Sequence, residues 1–503
     1  MCGIFGGIGA TKEQVRAALQ RIHRGNDGIT VREYGDLVLG SRRHMVKESA
    51  KANVSDGESD QPYESADGKI HLVFNGELYN FLELRDALQI KGHKFETVGD
   101  TEVFLHLYQD LGQSFVDQQT RISSLFALAV FDETKTELLI TRDWPGRIPL
   151  FYFYDKTREI FLFSSELKGF EALDFLTMDQ PVELQPGTMQ VLNLETFSLD
   201  ERVCYKPQIR KTEAPLLQVG RELHEKLQRS ARHRTHGDVP ICTMLSGGID
   251  SIMTTYYVLS SIDFNRVDYH PTSYVYGIDD YASEDVRRAK ISAAGFSEIG
   301  LILKEIRTSG DQLVKDLPDI IYSFEMRDIK ALSVYPLPIY YYLAPAMQKD
   351  GFKVTIGGHG VDELLGAYDA WKELNASHKA QIKHSSRLAF MNNIYENMLR
   401  RASVIFMNRG PIEARFPFLD PTVCEYALGI DPKWLSLSTD NAEFLLNQTE
   451  QRAGPRSQWT VQIEQTYDYL VRYLNNNGSY PEDASEEEVH EMEKLFWKLP
   501  LIT

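Results

Sequence analysis

The sequence is poor in cysteine, in positive charge and in long apolar runs, and each shortage excludes a class of protein. Only four cysteines occur among 503 residues, and their spacing fits neither a disulfide framework nor a metal site. Lysine and arginine number 54 against 72 aspartate and glutamate residues, which gives a formal net charge of -18 and argues against general nucleic-acid binding. Because no apolar run could cross a membrane and no signal peptide precedes the chain, we predict a cytoplasmic protein without a membrane partner.

The length of the chain predicts two domains, because one hydrophobic core rarely supports 503 residues. A polar, proline-flanked stretch over residues 206–215 is the predicted linker. Residues 1–205 contain short β-like runs that are typical of a layered antiparallel fold. Residues 216–503 begin with helical patterns that alternate with strands, as in a parallel α/β sheet.

Cys2 is the first candidate catalytic residue, and its position is the reason. If Met1 is removed, Cys2 carries a thiol and a free α-amine on the same residue. An α-amine titrates near ~7.7 and a thiol near ~8.5, so the amine can accept the thiol proton at neutral pH. Such a residue is a nucleophile with its own base. The position of Cys2 by itself also fits an unreactive, buried cysteine in an apolar strand.

Short strings that follow Cys2 supply the other groups that amide hydrolysis would use. They occupy residues 23–28, 39–43, 61–62, 75–80 and 99–102. An asparagine side chain and a neighbouring glycine amide can form an oxyanion hole. An arginine can hold a substrate carboxylate with two hydrogen bonds, and acidic side chains can hold an α-ammonium group.

The order of these strings resembles the N-terminal-nucleophile glutaminase domain of the glutamine-hydrolysing asparagine synthetase family. The resemblance implies that Cys2 is the nucleophile and that Asn75 and Gly76 form the oxyanion hole. It also implies four glutamine-binding residues. Arg43 would hold the glutamine carboxylate and Asn75 would make the oxyanion-hole contact. Glu77 and Asp100 would contact the amino group. This half departs from the family at Asn26, where proline is usual, and at His44, where leucine is usual.

A second candidate site lies in the middle of the chain. Residues 239–245 read as a buried strand, and the glycine-rich turn Ser246-Gly247-Gly248-Ile249-Asp250-Ser251 follows it. A strand, a glycine turn and a helix together point backbone amides at an anion. The two serines add hydroxyl donors, and Asp250 is placed to hold a Mg²⁺ ion that bridges nucleotide phosphates.

This turn resembles the PP-loop of ATP pyrophosphatases, which split ATP between its α and β phosphates to adenylate an acid. Residues 353–368 are similar to the second pyrophosphate and metal loop of the synthetase domain. The residues that the resemblance implies for ATP and pyrophosphate are Leu245, Ser246, Gly247, Gly248, Asp250, Ser251, Gly357 and Gly358. The implied metal ligands are Asp250 and Asp362, and Glu325 falls where the family places a catalytic acidic group near the acceptor.

The synthetase half departs from the family at several polar or charged positions. His359 replaces a glutamate, Gly357 a serine and Ser403 an aspartate. Two lysines that contact phosphates in the family are absent, since the nearest matches are Glu443 and Gln458. The candidate substitute cations are Lys330, Arg327 and Arg409. Three explanations stay open: a relocated cation, a different acceptor chemistry, or a shifted alignment in this stretch.

The resemblance implies a two-domain α/β protein. An αββα N-terminal-nucleophile hydrolase sandwich precedes an adenine nucleotide α hydrolase-like parallel sheet with many helices. The implied activity is that of a carbon–nitrogen ligase, which hydrolyses glutamine to ammonia and uses ATP and Mg²⁺ to adenylate a carboxylate, by default aspartate. The expected partners are these small molecules, and we allow for a homodimer.

Two alternatives remain from the sequence. One is amidation or lactam closure on an acid other than aspartate. The other is a regulatory or glutaminase-only protein with a decayed synthetase site, which the missing lysines favour and the intact turn at residues 246–251 opposes.

Overall fold

The computed structural model of the protein describes residues 1–44, 61–237, 239–264, 267–279, 283–325, 336–366 and 380–431. Within these ranges, no helix combines the length and the apolar character that crossing a membrane requires. The four cysteines all lie in the described ranges and form no disulfide.

Two antiparallel six-stranded sheets form the N-terminal half. Their strands are β1 Gly3–Ile8, β2 Ile29–Tyr34, β3 Leu37–Arg42, β4 Tyr63–Glu64, β5 Ile70–Leu78, β6 Ser124–Asp132, β7 Glu137–Arg142, β8 Phe151–Asp155, β9 Ile160–Ser164, β10 Val182–Glu183, β11 Thr188–Asn193 and β12 Ser198–Val203. The first sheet has the order β10-β8-β9-β1-β3-β2, and the second has the order β12-β11-β7-β6-β5-β4. A shared apolar core, which includes Ile4, Leu39, Val73, Ala127 and Phe163, lies between them.

Helices cover the outer faces of both sheets. The helices are α1 Lys12–Arg21, α2 Phe81–Ile90 and α3 Thr101–Leu111, with 3₁₀ turns at Gly112–Asp117 and Leu167–Ala172. A capping box starts α1, because Thr11 Oγ1 accepts from Gln14 N at 3.3 Å while Thr11 N donates to Gln14 Oε1 at 2.9 Å. The helix then buries Val15, Ala18 and Leu19 against the first sheet. The predicted αββα sandwich is confirmed.

The C-terminal half contains a five-stranded parallel sheet surrounded by helices. Its strands are β13 Ile241–Met244, β14 Thr272–Ile278, β15 Ile302–Thr308, β16 Val354–Ile356 and β17 Glu413–Arg415. The helices are α4 Leu216–Arg234, α5 Ile249–Leu259, α6 Glu284–Gly295, α7 Gly310–Tyr322, α8 Leu337–Lys349, α9 Val361–Leu365, α10 Ala380–Asn392, α11 Phe406–Arg409 and α12 Pro421–Gly429. Short 3₁₀ helices lie at Ser297–Ile299 and Pro417–Leu419, and five-residue π-helices lie at Tyr395–Leu399 and Arg401–Ile405. The predicted parallel sheet with many helices is confirmed.

The order of this sheet creates a crevice beside β13. The strands run β15-β14-β13-β16-β17, so the chain extends the sheet from β13 first on one side and then on the other. Because all of these pairs are parallel, the loops after β13 and β16 leave the sheet at the same edge. Ligands of open α/β sheets bind where the strand order reverses in this way.

The two halves meet through buried polar contacts. Asp420 Oδ2 accepts from Ser123 Oγ at 2.6 Å and from Arg234 Nη1 at 3.1 Å. Arg147 Nη1 donates to Leu419 O at 3.2 Å. The segment between β12 and α4 runs over residues 204–215, and the domain boundary at residues 206–215 stays a prediction.

Candidate functional site

Cys2 lies directly before β1, in the middle of the first sheet. The register of β1 with β3 pairs Gly3 with Arg42, so the residues after β3 run past Cys2. Cys2 is half-buried, and its Sγ accepts a hydrogen bond from His44 N at 3.4 Å. The Met1 ammonium nitrogen is buried and lies 3.2 Å from Glu413 Oε2 in the other half of the protein.

Asn75 is fully buried on β5, in the sheet that faces Cys2. Its Nδ2 donates to Ser165 Oγ at 3.0 Å, and the same hydroxyl accepts from Ile4 N at 2.9 Å. Ser165 therefore ties the Asn75 amide to the strand that follows Cys2. Among the described residues, Asn75 Oδ1 has no hydrogen-bond partner. Ser165 thus fixes the orientation of this buried amide through one N–H of Nδ2, and the second N–H of Nδ2 is the group that could donate to a ligand.

Gly76 follows Asn75 at a position that excludes every larger residue. Its φ is +159°, and an added Cβ would lie 2.1 Å from Leu125 O on the paired strand β6. The absence of a side chain therefore lets β5 and β6 pair closely beside Asn75.

The three remaining predicted glutamine contacts are held by different elements. Glu77 is buried, and its Oε2 lies 4.0 Å from Arg415 Nη2 of β17. Asp100 is half-buried, and its Oδ2 accepts from Leu78 N at 2.9 Å. Arg43 is half-buried, and its backbone N donates to Gly28 O at 2.8 Å, while its backbone O accepts from Asp27 N at 3.0 Å. Their roles as glutamine contacts stay predictions.

The side chain of His44 is buried, and its backbone N contacts Cys2. Burial lowers the pKa of His44 well below its usual range, and the terminal ammonium and Lys353 lower it further. Its Nε2 has no hydrogen-bond partner in the described part of the chain. The position where the family has leucine thus carries an uncharged imidazole.

The loop after β13 turns sharply into α5. Ser251 Oγ accepts from Ser246 N at 3.2 Å and donates to Gly248 O at 2.8 Å, which ties the loop to the first turn of the helix. Gly247 has a left-handed φ of +78°, and an added Cβ would lie 2.3 Å from Arg288 Cβ. At the start of the loop, Leu245 N donates to Tyr274 O at 2.9 Å. The backbone amides before α5 are therefore held in a fixed arrangement at the sheet edge.

The loop after β16 presses against this first loop. An added Cβ on Gly358 would lie 2.8 Å from Asp250 O in the first turn of α5. Gly357 N donates to Arg415 O of β17 at 3.0 Å. The predicted ATP and pyrophosphate residues are therefore brought together from two strands into one crevice, although their binding role stays a prediction.

The residues that could hold a magnesium ion come from these two loops. Asp250 lies in the first turn of α5, and Asp362 lies in the first turn of α9. Both are half-buried. Carboxylate oxygens are the ligands that Mg²⁺ prefers, and the close approach at Gly358 brings the two loops into contact. The donor types therefore suit the predicted ion, and the roles of Asp250 and Asp362 as its ligands stay predictions.

His359 lies in an aromatic environment on the β17 side of the crevice. Its Nε2 is 2.8 Å from Tyr340 Oη, and its ring centroid is 4.8 Å from that of Phe416. Burial lowers the pKa of His359 to about 4, and the nearby Arg401 acts in the same direction. The side chain is uncharged at neutral pH, in contrast to the glutamate that the family has here.

Glu325 lies at the interface between the two halves. It adopts a left-handed φ of +53°, and its Oε2 accepts from Leu167 N at 3.0 Å. Its Oε1 is 3.2 Å from Lys168 Nζ. Burial raises the pKa of Glu325, and the neighbouring Glu166 raises it further. The predicted catalytic role of Glu325 near the acceptor stays a prediction.

One cluster of metal-ligand type occurs elsewhere among the described residues. Ligand atoms of His23, Glu166 and Glu325 lie within 4.8 Å of one another. Arg24 Nε is 3.2 Å from Glu166 Oε1, and Lys168 is paired with Glu325. Because each carboxylate already has a cationic partner, this cluster is satisfied without a metal ion.

Of the candidate cations, only Arg409 can be placed. Its guanidinium carbon lies 4.0 Å from the ring centroid of Tyr341. Lys330, Arg327, Glu443 and Gln458 lie outside the described residues. That another cation replaces the missing lysines therefore stays a prediction.

Sequence reasoning did not assign a site role to Ser165, Glu413 or Arg415. Ser165 positions Asn75 from 90 residues away, and Arg415 reaches Glu77 across the interface between the halves. Nothing in the spacing of these residues along the sequence shows which side chains they contact.

Comparisons with known proteins match both halves of the chain. A glutamine amidotransferase domain family matches residues 1–215, and an asparagine synthase family matches residues 222–388. The glutamine-hydrolysing asparagine synthetase 2 of Oryza sativa subsp. japonica is 26% identical over 451 residues, which are 88% of this chain and 71% of the relative. The glutamine-hydrolysing asparagine synthetase of Sandersonia aurantiaca is 27% identical over 460 residues, which are 88% of this chain and 80% of the relative.

A solved structure also aligns with part of the chain. It is the glutamine phosphoribosylpyrophosphate amidotransferase from B. subtilis complexed with ADP and GMP, with a TM-score of 0.33 and 15% identity over 60% of this chain and 81% of that chain.

Proposed function

Because this chain belongs to the asparagine synthetase family, in which a glutamine amidotransferase domain precedes an asparagine synthase domain, we propose that it is a glutamine-dependent, ATP-consuming carbon–nitrogen ligase. The observation that carries the proposal is the presence of both sites in one packed molecule. In the first half, Ser165 links the Asn75 amide to Ile4, two residues after Cys2, and in the second half two glycine loops meet at the sheet crevice.

In the first half, the Cys2 thiolate would attack the side-chain carbonyl carbon of glutamine. The carbon–nitrogen bond then breaks, ammonia leaves, and a thioester remains that water hydrolyses to glutamate. The Asn75 amide and the Gly76 N–H would donate to the developing oxyanion. The buried Glu77 and the half-buried Asp100 would hold the α-ammonium group, and Arg43 would hold the α-carboxylate.

In the second half, a carboxylate oxygen of the acceptor would attack the α-phosphorus of ATP and displace pyrophosphate. Ammonia would then attack the acyl carbon of the resulting adenylate, and AMP would leave. The loop residues 245–248 and the first turn of α5 would bind the pyrophosphate through backbone amides. Asp250 and Asp362 would hold Mg²⁺, which supplies charge neutralisation for the phosphates when it is bound.

The assay that tests this proposal uses the purified full-length protein with ATP, Mg²⁺ and a panel of carboxylic acids headed by aspartate. Glutamine or ammonium is the nitrogen source, and pyrophosphate and glutamate release are measured. We expect acid-dependent pyrophosphate release with either nitrogen source. Glutamate release with no acid-dependent pyrophosphate across the panel would contradict the ligase proposal and favour a glutaminase-only protein.

A second candidate acceptor class is an acid other than aspartate, including an acid that closes a lactam within one substrate. The uncharged His359, bonded to Tyr340, favours this class because a carboxylate at that position is replaced by a neutral group. Pyrophosphate release that depends on another acid in the panel, but not on aspartate, would support it. Aspartate as the default acceptor, a homodimer and a cytoplasmic location all stay predictions.

Replacing Asn75 with alanine is expected to lower kcat for glutamine hydrolysis about a hundredfold or more, because one preorganised oxyanion donor is lost. Ammonium-dependent pyrophosphate release should stay at the wild-type rate, since that reaction does not use Cys2. Steady-state glutamate release measures the first effect. Asn193→Ala is the matched control, because the hydrogen bonds that Asn193 Oδ1 accepts within the described ranges come from the nearby turn residues Glu195 and Thr196. An equal loss in both variants would show that Asn75 has no special role.

A further inference from the structure

The short strand β17 contacts both candidate sites at once. On the side of Cys2, Glu413 Oε2 lies 3.2 Å from the terminal ammonium nitrogen, and Glu413 Oε1 accepts from Arg415 Nε at 2.7 Å. Arg415 and Glu413 are both completely buried. The two oxygens of one carboxylate therefore join the start of the glutaminase half to a guanidinium group of the synthetase half.

Arg415 continues this row of charges in two directions. Its Nη2 lies 4.0 Å from Glu77 Oε2, which belongs to the predicted glutamine site. Its Nη1 donates to Arg234 O at 2.6 Å and to His236 O at 3.1 Å. The backbone carbonyl of Arg415 accepts from Gly357 N at 3.0 Å, at the start of the second pyrophosphate loop. One residue thus touches the predicted glutamine site with its side chain and the predicted nucleotide loop with its backbone.

The side-chain charges in this row alternate: Glu413, Arg415 and Glu77. In a buried row each charge depends on its neighbours, because little water is present to screen them. A glutamine ammonium group at Glu77 would compete with Arg415 for that carboxylate. The position of Arg415, and with it the hydrogen bond to Gly357, would then respond to glutamine.

We propose that Glu413 and Arg415 are positioning residues shared by the two sites, through which glutamine binding and nucleotide binding change each other's affinity. This inference rests on the proposed function. A coupling free energy belongs to both ligands equally, so each ligand must change the dissociation constant of the other by the same factor. If Glu413 and Arg415 had only a structural role, no such change in the dissociation constants would be expected.

The test uses the full-length Cys2→Ala protein, which is expected to bind glutamine without hydrolysing it. Calorimetry measures Kd for glutamine with and without saturating ATP and Mg²⁺, and Kd for ATP with and without saturating glutamine, in the absence of an acceptor acid. We expect both Kd values to change by the same factor, of about five or more. In Glu413→Gln and in Arg415→Lys, each on the Cys2→Ala background, each ligand should still bind and the factor should fall to about one.

Arg147→Lys is the matched control for a buried arginine at the same interface. Arg147 Nε donates to Asp143 Oδ2 at 2.7 Å and Arg147 Nη1 to Leu419 O, so it bridges the halves without contacting either predicted site. The control should keep the coupling factor. The inference would be overturned, and the proposed function would stand, if both ligands bind with a coupling factor of one. The same holds if the coupling factor is unchanged in both β17 variants. Failure of glutamine or ATP to bind would instead contradict the proposed function, and the inference with it.

Two β17 variants keep the test informative if one of them does not fold. Glu413→Gln keeps the shape of the side chain and removes its charge, whereas Arg415→Lys keeps a charge and removes the guanidinium geometry. A thermal melting curve for each variant shows which can be used. Loss of coupling in either folded variant, with both ligands still bound, supports the inference.

Discussion

Replacing Cys2 with alanine is expected to abolish glutamine-dependent product formation, with a loss of about a thousandfold or more in glutamate release. The thiol is the proposed nucleophile, and the hydrogen bond from His44 N at 3.4 Å stabilises a negative charge on Sγ. Ammonium should still support acid-dependent pyrophosphate release at the wild-type rate. The measurement is the pair of rates, with glutamine and with ammonium, in the same protein preparation.

Cys204→Ala is the matched control for this prediction. Cys204 is buried, its Sγ donates to Gly187 O at 3.1 Å, and burial raises its pKa to about 11. A thiol with this pKa is almost entirely protonated at neutral pH and is a poor nucleophile.

Iodoacetamide should therefore inactivate the glutamine reaction by alkylating Cys2, and glutamine should protect against it. Wild-type glutamate release in the Cys2→Ala protein would show that another group is the nucleophile.

Replacing Gly247 with alanine is expected to lower ATP-dependent pyrophosphate release about a hundredfold or more, while glutamine hydrolysis stays unchanged. The left-handed φ of +78° costs an alanine roughly 1–2 kcal/mol. The larger effect is steric, because the new Cβ would lie 2.3 Å from Arg288 Cβ and 2.6 Å from Ala289 N in the middle of α6. The loop must move, and its amides then no longer meet the pyrophosphate at the N-terminus of α5.

Gly300→Ala separates the backbone cost from the steric one. Gly300 has a φ of +70°, in the same half of the protein, and an added Cβ there meets nothing within 4 Å. This control should lose some stability but keep pyrophosphate release and ATP affinity. Equal kinetic losses in the two variants would show that the loop geometry at Gly247 is not needed for nucleotide binding.

Local patterns in the sequence predict many of the elements that carry the sites. The helical spacing from Leu216 to Ala231 falls in α4, and the apolar run at residues 239–245 contains β13. The glycine turn at residues 246–248 does lead into a helix, α5. These features can be predicted from the sequence because the apolar face of a helix, a strand and a tight turn each depend on residues within a few positions of one another.

Contacts between residues that are far apart in the sequence could not be predicted in the same way. Glu325 was expected to serve the acceptor, and its neighbours across the interface, Leu167 and Lys168, could not be foreseen from a separation of 158 residues. The hydrogen bond between Asn75 and Ser165 joins two sheets whose relative position no spacing rule specifies. The uncharged state of His44 and His359 depends on burial, which is a property of the folded protein.

The sequence by itself determined which chemical groups are available and in which local setting. It placed a cysteine at the head of a strand, and it placed glycines in a tight turn between a strand and a helix, because both features are local. Only the tertiary structure decided that Glu413 meets a terminal ammonium 412 residues away and that Arg415 lies between Glu77 and the Gly357 loop. The physical reason is that a charge contact gains its strength from burial and proximity, which arise only when the two halves pack together.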